Sequence, residues 1–393
     1  MKIFPDIPAL KIRLITGSFI LLLFVFISCK SRNEKQTNDQ IFQNNTITAY
    51  AERFKLEKKG SYSLLTIINP WQGASEVNYV WYLVNRGSKL PSGIDSSKVI
   101  YVPIRKIVCM STTHISMISA LNEANTISGV SGAPFLYEKN LIERLENGLI
   151  ADVGYDDNLN KEMLISISPD LVMAYGIGHE STGYIGKIRE LGIKVLFNAD
   201  YLETDPLGKA EWIKMFGALF CKENLADEIF QSIEKEYNRL KYFINENSDD
   251  KPDVLLGLPY RDTWYISPGN SYISRLITDA GGNYLWKETK SSISMPIGIE
   301  NVYLKGINAD YWLNIGSINS RKEISAIDPR LEDFPCFKNG NLYNNNKRTD
   351  AKGANDYWES GCLNPHIILK DIANILHPEL FSDHELFYYR KIY

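Results

Sequence analysis

Histidine and cysteine are scarce in this 393-residue chain, with five of each. No two cysteines stand in a CxxC or CxxxxC pair, so a zinc or iron–sulfur site of that spacing has no support. G-x-S-x-G and H-E-x-x-H are both missing, which removes the signposts of a serine hydrolase and a zinc protease. The stretches DPLGK, SPGNS and DAGGN lack the Gly-Lys-Ser/Thr ending of a phosphate loop. Positive charge is not in excess either. The formal net charge is −4, which argues against nucleic acid as a partner, because phosphates call for a basic face.

What is present begins with length, enough for two domains and an ample core. Aromatic content is high at 12%, with 23 Tyr and 7 Trp; amphipathic rings of this kind also line sites for bulky ligands. The amino end differs from the rest. Lys2, Lys11 and Arg13 precede the apolar run LITGSFILLLFVFIS, too short for a comfortable span, and Cys29 follows Ser28 directly. That order predicts an export signal over residues 1–28 and a polar tether over 29–46. Ser28-Cys29 resembles a bacterial lipoprotein cleavage box with Phe26 in place of the commoner Leu, which implies a lipidated Cys29. A plain membrane anchor is the alternative; either way the folded part lies outside the cytoplasm. Of the other cysteines, Cys109 sits in the apolar run KIVCM and reads as core, while Cys336 and Cys362 are candidates for a bridge in an oxidising compartment.

Residues 47–103 read as β-rich, with a Lys-Gly turn in FKLEKKGSYSLLTIINP. From Lys106 the rhythm becomes strand, polar loop, helix, which predicts a first α/β lobe over 47–205. Residues 206–247 break that rhythm with one helix over DPLGKAEWIKMFGALF and a longer one after it. In the second, Leu225, Ile229, Ile233, Tyr237 and Leu240 recur at helical spacing, predicting a spine helix of about 37 Å. Alternation resumes over 248–393. The phrase ISPDLVMAYG, Ile167 to Gly176, returns as INADYWLNIG, Ile307 to Gly316. The fold class is therefore α/β, with two similar lobes, each a mostly parallel sheet flanked by helices, on either side of one spine helix.

Paired lobes imply a cleft beyond the carboxyl ends of their strands. In the first lobe the loop candidates are Thr113, His114, Tyr137, Tyr175 and His179. In the second they are Tyr260, Arg261, Trp264, Asn270 and Tyr272, then Arg321, then Asp356, Tyr357 and Trp358. Tyr and Trp suit a large planar chelate and Arg its anionic oxygens. Trp264 has the core as its plain alternative, and His114 reads more readily as a hydrogen-bonded loop residue than as an iron ligand.

KIVCMSTTHISMISAL, DVGYDDNLNKEMLISISPDLVMAYG, LGIKVLF, WYISPGNSYISRLITDAGGNYLW and NDYWESGCLNPHIILKDIANILHPEL, in that order, resemble the solute-binding lipoproteins of ATP-binding cassette importers for iron chelates, haem and cobalamin, the TroA-like group. The resemblance implies a receptor, not an enzyme, lipid-anchored in the periplasm. It would capture a ferric siderophore-type chelate and deliver it to a permease and ATPase complex. Haem or a cobalamin is the alternative ligand, and no cofactor or catalytic residue is implied. Glu162, seven positions before Pro169, and Glu300, nine before Ala309, match the two permease-docking glutamates. Two more distant readings stay open. An extracytoplasmic enzyme such as a carboxylate-pair hydrolase has no positive feature. A metal-ion receptor needs three or four converging ligands, yet His366, His377 and His384 all fall in the closing region.

Overall fold

A computed structural model describes residues 48–90, 92–155, 158–176 and 182–393. Cys29, the export segment, the tether and His179 lie outside the described residues. The β-rich start forms one sheet in the order β1 (Phe54–Lys59), β2 (Tyr62–Ile68), β3 (Asn78–Asn85), β4 (Val99–Val102). Lys59 pairs with Tyr62 across a two-residue turn whose Gly60 takes φ +60°, a conformation that favours glycine. Alternation along the strands sends Phe54, Leu56, Leu65, Ile67 and Ile100 into the core.

The first lobe's main sheet is wholly parallel. It joins β5 (Ile107–Cys109), β6 (Ile127–Val130), β7 (Ala151–Asp152), β8 (Leu171–Ala174) and β9 (Val195–Phe197) in the order β7-β6-β5-β8-β9. Every residue of β5, β8 and β9 is buried, as strands covered on both faces require. Cys109 is among them, in the core. Helices α1 (Thr112–Ala120), α2 (Lys139–Glu146), α3 (Lys161–Ile167) and α4 (Thr182–Glu190) make the crossovers. Ser111 and Asn160 cap α1 and α3 through their side chains.

Where one helix was expected after Asp205 there are two, α5 (Pro206–Glu211) and α6 (Ile213–Phe220). Trp212 divides them: its amide bonds back only three residues, to Lys209 O, and its indole Nε1 donates to buried Glu203 at 3.0 Å. The spine is α7 (Glu223–Asn247), 25 residues long. It buries Ala226, Phe230, Ile233, Tyr237, Leu240 and Ile244, so Leu225 and Ile229 sit at the edge of the stripe, not at its centre.

In the second lobe β10 (Asp253–Leu256), β13 (Asn283–Tyr284), β15 (Tyr311–Leu313) and β16 (Leu342–Asn344) run parallel, with β17 (Arg390–Lys391) antiparallel at the edge. The run VLLGLPY is not one strand. Gly257, at φ +80°, turns the chain out of the sheet into a small antiparallel one of β11 (Pro259–Tyr260), β12 (Thr263–Ile266) and β14 (Met295–Gly298). The helices are α8 (Tyr272–Asp279), α9 (Ile299–Gly306), α10 (Arg321–Ile327), α11 (Pro335–Lys338), α12 (Asp356–Glu359) and α13 (Pro365–Leu376).

The repeated phrase has a physical meaning. Asp170, which precedes β8, accepts the amides of Arg105 and Lys106 at 2.8 and 3.1 Å, at the entrance to β5. Asp310, which precedes β15, accepts the amide of Asp253 at 2.8 Å, at the entrance to β10. In both lobes the same carboxylate fixes the start of the neighbouring central strand.

Two buried carboxylates fasten outlying segments. Glu211 accepts the amides of Ala49, Tyr50 and Ala51 at 2.8–3.0 Å and pairs with Lys214. Asp371 accepts the amides of Phe387, Tyr388 and Tyr389 and bonds His384 Nε2 at 2.7 Å. Glu211→Ala removes the shared acceptor of three backbone amides and the carboxylate facing Lys214. It is expected to lower unfolding free energy by about 3 kcal/mol, read as a lower urea midpoint at unchanged slope, with Glu211→Gln between it and wild type.

Candidate functional site

The lobes meet where α1 of the first approaches α12 and the residues after it in the second, with Ser116 Oγ 3.2 Å from Cys362 Sγ. Tyr357 on α12 is buried against the rings of Trp358, Tyr388 and Tyr389, with centroids 4.9, 5.8 and 6.0 Å away. Tyr389 OH donates to Asn314 at 2.7 Å, just past β15. Tyr272, which opens α8, has its hydroxyl buried with no hydrogen-bond partner.

Space opens to one side. A cavity of about 880 Å³ lies between the lobes with the spine as one wall, through Ile229, Ser232 and Ile233. The first lobe contributes α1 and the approach to α2; the second contributes Arg348, α12 and the start of α13. Its charged groups are arranged unevenly. Arg348 is paired with Asp356 at 2.5 Å and lies over the rings of Tyr137 and Phe387. Glu138 accepts Ser119 Oγ at 2.6 Å. Glu359, 3% exposed, accepts the amide of Tyr137 at 2.8 Å across the lobe boundary. Burial first, then the carboxylates of Glu138 and Asp356, push its carboxyl up to about 7, against the pull of the Tyr137 and Glu138 amides. The size is within the range of small-molecule pockets. Among the described residues no cluster of three His, Cys, Asp or Glu is placed to hold a metal ion.

Of the candidates drawn from the sequence, Tyr137 and Asp356 line this cavity. Tyr260 and Trp358 are exposed on their lobe, 65% and 61%, with Arg261 over the Tyr260 ring at 5.4 Å. Tyr175 OH lies 3.3 Å from Tyr155 OH, and Asn270 accepts the amide of Ser291. Others are placed differently from the loop positions expected. Thr113 lies within α1, its hydroxyl 3.1 Å from Ser111 Oγ. His114 lies there too, fully buried with both ring nitrogens unpartnered, because α1 starts earlier than the polar run suggests. Trp264 is core, donating from Nε1 to Leu256 O at 2.9 Å, 5.8 Å from the Trp312 ring. Arg321 is committed to Phe337, donating to its carbonyl at 2.7 Å and lying over its ring. Cys336 and Cys362 are both free thiols: Cys336 is buried in α11, and Cys362 faces Ser116 Oγ at 3.2 Å. Glu162 and Glu300 are exposed in the first turns of α3 and α9.

Arg348, Glu359, Glu138 and Phe387 were missed, as was His366, which lines the cavity from α13. Glu138 adjoins Tyr137 in sequence and Glu359 adjoins Trp358, so both were within reach; the others depend on tertiary approach.

The family model described as periplasmic binding protein matches residues 107–349, from β5 to the loop beyond β16. The chain belongs to the periplasmic binding protein family. Two uncharacterized lipoproteins of Methanocaldococcus jannaschii are relatives. One is 29% identical over 93% of this chain and 90% of its own, the other 28% over 88% and 87%. Solved structures share the TroA-like two-lobe fold. A periplasmic heme binding protein from Pseudomonas aeruginosa has a TM-score of 0.55 at 14% identity, over 74% of this chain and 98% of its own. A possible iron-binding (periplasmic solute-binding) protein from Staphylococcus epidermidis has 0.54 at 16%, over 70% and 99%.

Burial holds the His114 imidazole down to about 3, so the unfolded chain takes up a proton near pH 6.5 that the folded chain refuses. Stability is then lost as pH falls from 6.5 toward 3, by up to about 1.4 kcal/mol per pH unit. His114→Leu is expected to gain on wild type in acid, the difference in urea midpoints shrinking as pH rises toward 6.5 and levelling above it.

Proposed function

We propose that this protein is the extracytoplasmic solute receptor of an ATP-binding cassette importer, tethered through lipidated Cys29, that takes a ferric siderophore-type chelate between its lobes. The observation that carries the reading is the 880 Å³ cavity set between duplicated lobes on a single spine in a member of this family. Neighbours in fold are titled as iron-binding, heme-binding and Fe3+-hydroxamate transport proteins, which supports a chelate as cargo. The relatives named lipoproteins support the tether. Cavity electrostatics narrow the chelate. Of the two arginines expected to hold an anionic ligand, Arg321 is committed to Phe337 and Arg261 is exposed over the Tyr260 ring, while Arg348, which does line the cavity, is neutralised by Asp356. A chelate of low net charge fits such walls better than a strongly anionic one. Haem or a corrinoid is the second reading, favoured by the exposed rings of Tyr260 and Trp358.

The test uses purified mature protein mixed separately with ferrichrome, haemin and cyanocobalamin, then gel-filtered. Ferrichrome is expected to stay with the protein by its visible absorbance and to raise Tm. Retention of haemin or cyanocobalamin alone moves the assignment to the second reading, and retention of none overturns both.

Glu162 and Glu300 are proposed as the two permease contacts, exposed carboxylates on the corresponding helix of each lobe. Glu162→Ala and Glu300→Ala are expected to leave chelate retention unchanged while lowering uptake by reconstituted importer, the double variant most. Loss of retention in either would remove these residues from a docking role.

A further inference from the structure

Glu359 belongs to α12 in the second lobe, yet its hydrogen bond is to the first. It accepts the Tyr137 amide at the entrance to α2, a helix whose own N-cap residue, Glu138, makes no side-chain cap. A carboxylate from one lobe thus holds the backbone one residue ahead of the N-cap of a helix in the other. The groups facing it are mostly of its own sign. Glu138 approaches from the α2 entrance, where Lys139 is exposed to solvent. Asp356 lies one turn back on α12, its charge matched by Arg348. The Cys362 thiol lies 3.3 Å from the Glu359 carbonyl, and His366 lines the same cavity from α13. Among the described residues no cation is paired with Glu359 itself.

We propose that Glu359 is a proton-operated clasp between the lobes, holding α12 against the start of α2 when neutral and loosening that side of the interlobe cavity when ionised. As an acid, Glu359 keeps its carbonyl on the Tyr137 amide and can turn its O–H toward a neighbouring carboxylate. As a carboxylate it keeps the amide bond but meets the charges of Glu138 and Asp356 from a buried position. The sign follows from linkage. The closed contact raises the group to about 7, whereas a hydrated Glu359 titrates near its ordinary value of about 4.3. Closure therefore binds a proton between those limits, is favoured in acid, and weakens as pH rises toward 7. Within that window each pH unit changes the closed-to-open ratio by up to about tenfold. The consequence for solute exchange rests on the cavity reading above. The clasp does not, and it is tested without solute.

The measurement is hydrogen exchange at the Tyr137 and Glu138 amides, corrected for intrinsic rates, from about pH 5 to 8 in the full mature chain. Wild-type protection is expected to fall by up to about tenfold per pH unit on the way to neutrality, then level. Glu359→Gln has the shape of the acid and is expected to hold protection constant across the range, with an unchanged circular dichroism spectrum reporting that it folds. Glu138→Gln, which removes one repelling charge, is expected to move the wild-type transition to lower pH. A wild-type profile that is flat, or that Glu359→Gln reproduces, overturns the proposal. So does an unmoved transition in Glu138→Gln. Loss of chelate retention with an intact exchange profile would count against the cavity reading alone.

Discussion

The segment that joins the two lobes is a helix with its apolar face committed along its length, which resists bending between them. Phe230, Ile233, Tyr237, Leu240 and Ile244 are buried from near the start of α7 to near its end. Polar contacts then fix its rotation. Glu234 accepts Tyr50 OH at 2.6 Å, while Tyr237 OH and Lys241 reach Asp279 on α8 at 2.8 and 2.9 Å. The helix is thereby registered against the N-terminal segment and the second lobe at once. Rotating it by one residue would turn each of these groups by about 100°. The cavity uses the same helix as a wall, so its dimensions are inherited from that register.

A second constraint runs through the molecule: carboxylates inside it are surrounded by backbone amides more than by cations. Glu203 accepts the amides of Glu52 and Arg53, Glu211 those of residues 49–51, and Asp371 those of residues 387–389. Several donors are needed to offset the loss of water around a buried charge. Where they are fewer and like charges are near, as at Glu359, the group becomes a weaker acid. Burial raises Glu203 in spite of its donors, so what sets Glu359 apart is the added like charge of Glu138 and Asp356.

Much of the fold was legible because parallel strands covered on both faces leave short apolar runs that few other structures produce. The runs around Val108, Val172 and Trp312 all became central strands. The spine was equally open to reading from its spacing. The site was less so. Whether an arginine is available depends on what lies over it: nothing local to Arg321 announces that Phe337 will take its guanidinium, and nothing local to Arg348 announces Asp356. His114 misled because Ser-Thr-Thr-His reads as a polar loop, while Ser111 caps a helix that already contains the other three. The antiparallel turn of β11 and β12 was hidden because Gly257 sits within an apolar run that, read along the chain, looks continuous.

The fasteners also bear on the order in which the chain can become itself. Glu211 closes on residues about 160 positions upstream of it, whereas Asp371 waits for partners 13 to 18 positions downstream. A chain delivered amino end first therefore carries its opening segment unattached until α5 has appeared, and its second lobe unfinished until residue 389 has followed. The Glu211 contacts, with their long separation, carry the larger loop-closure cost. A polypeptide built this way closes its last fastener only once its final residues are in place.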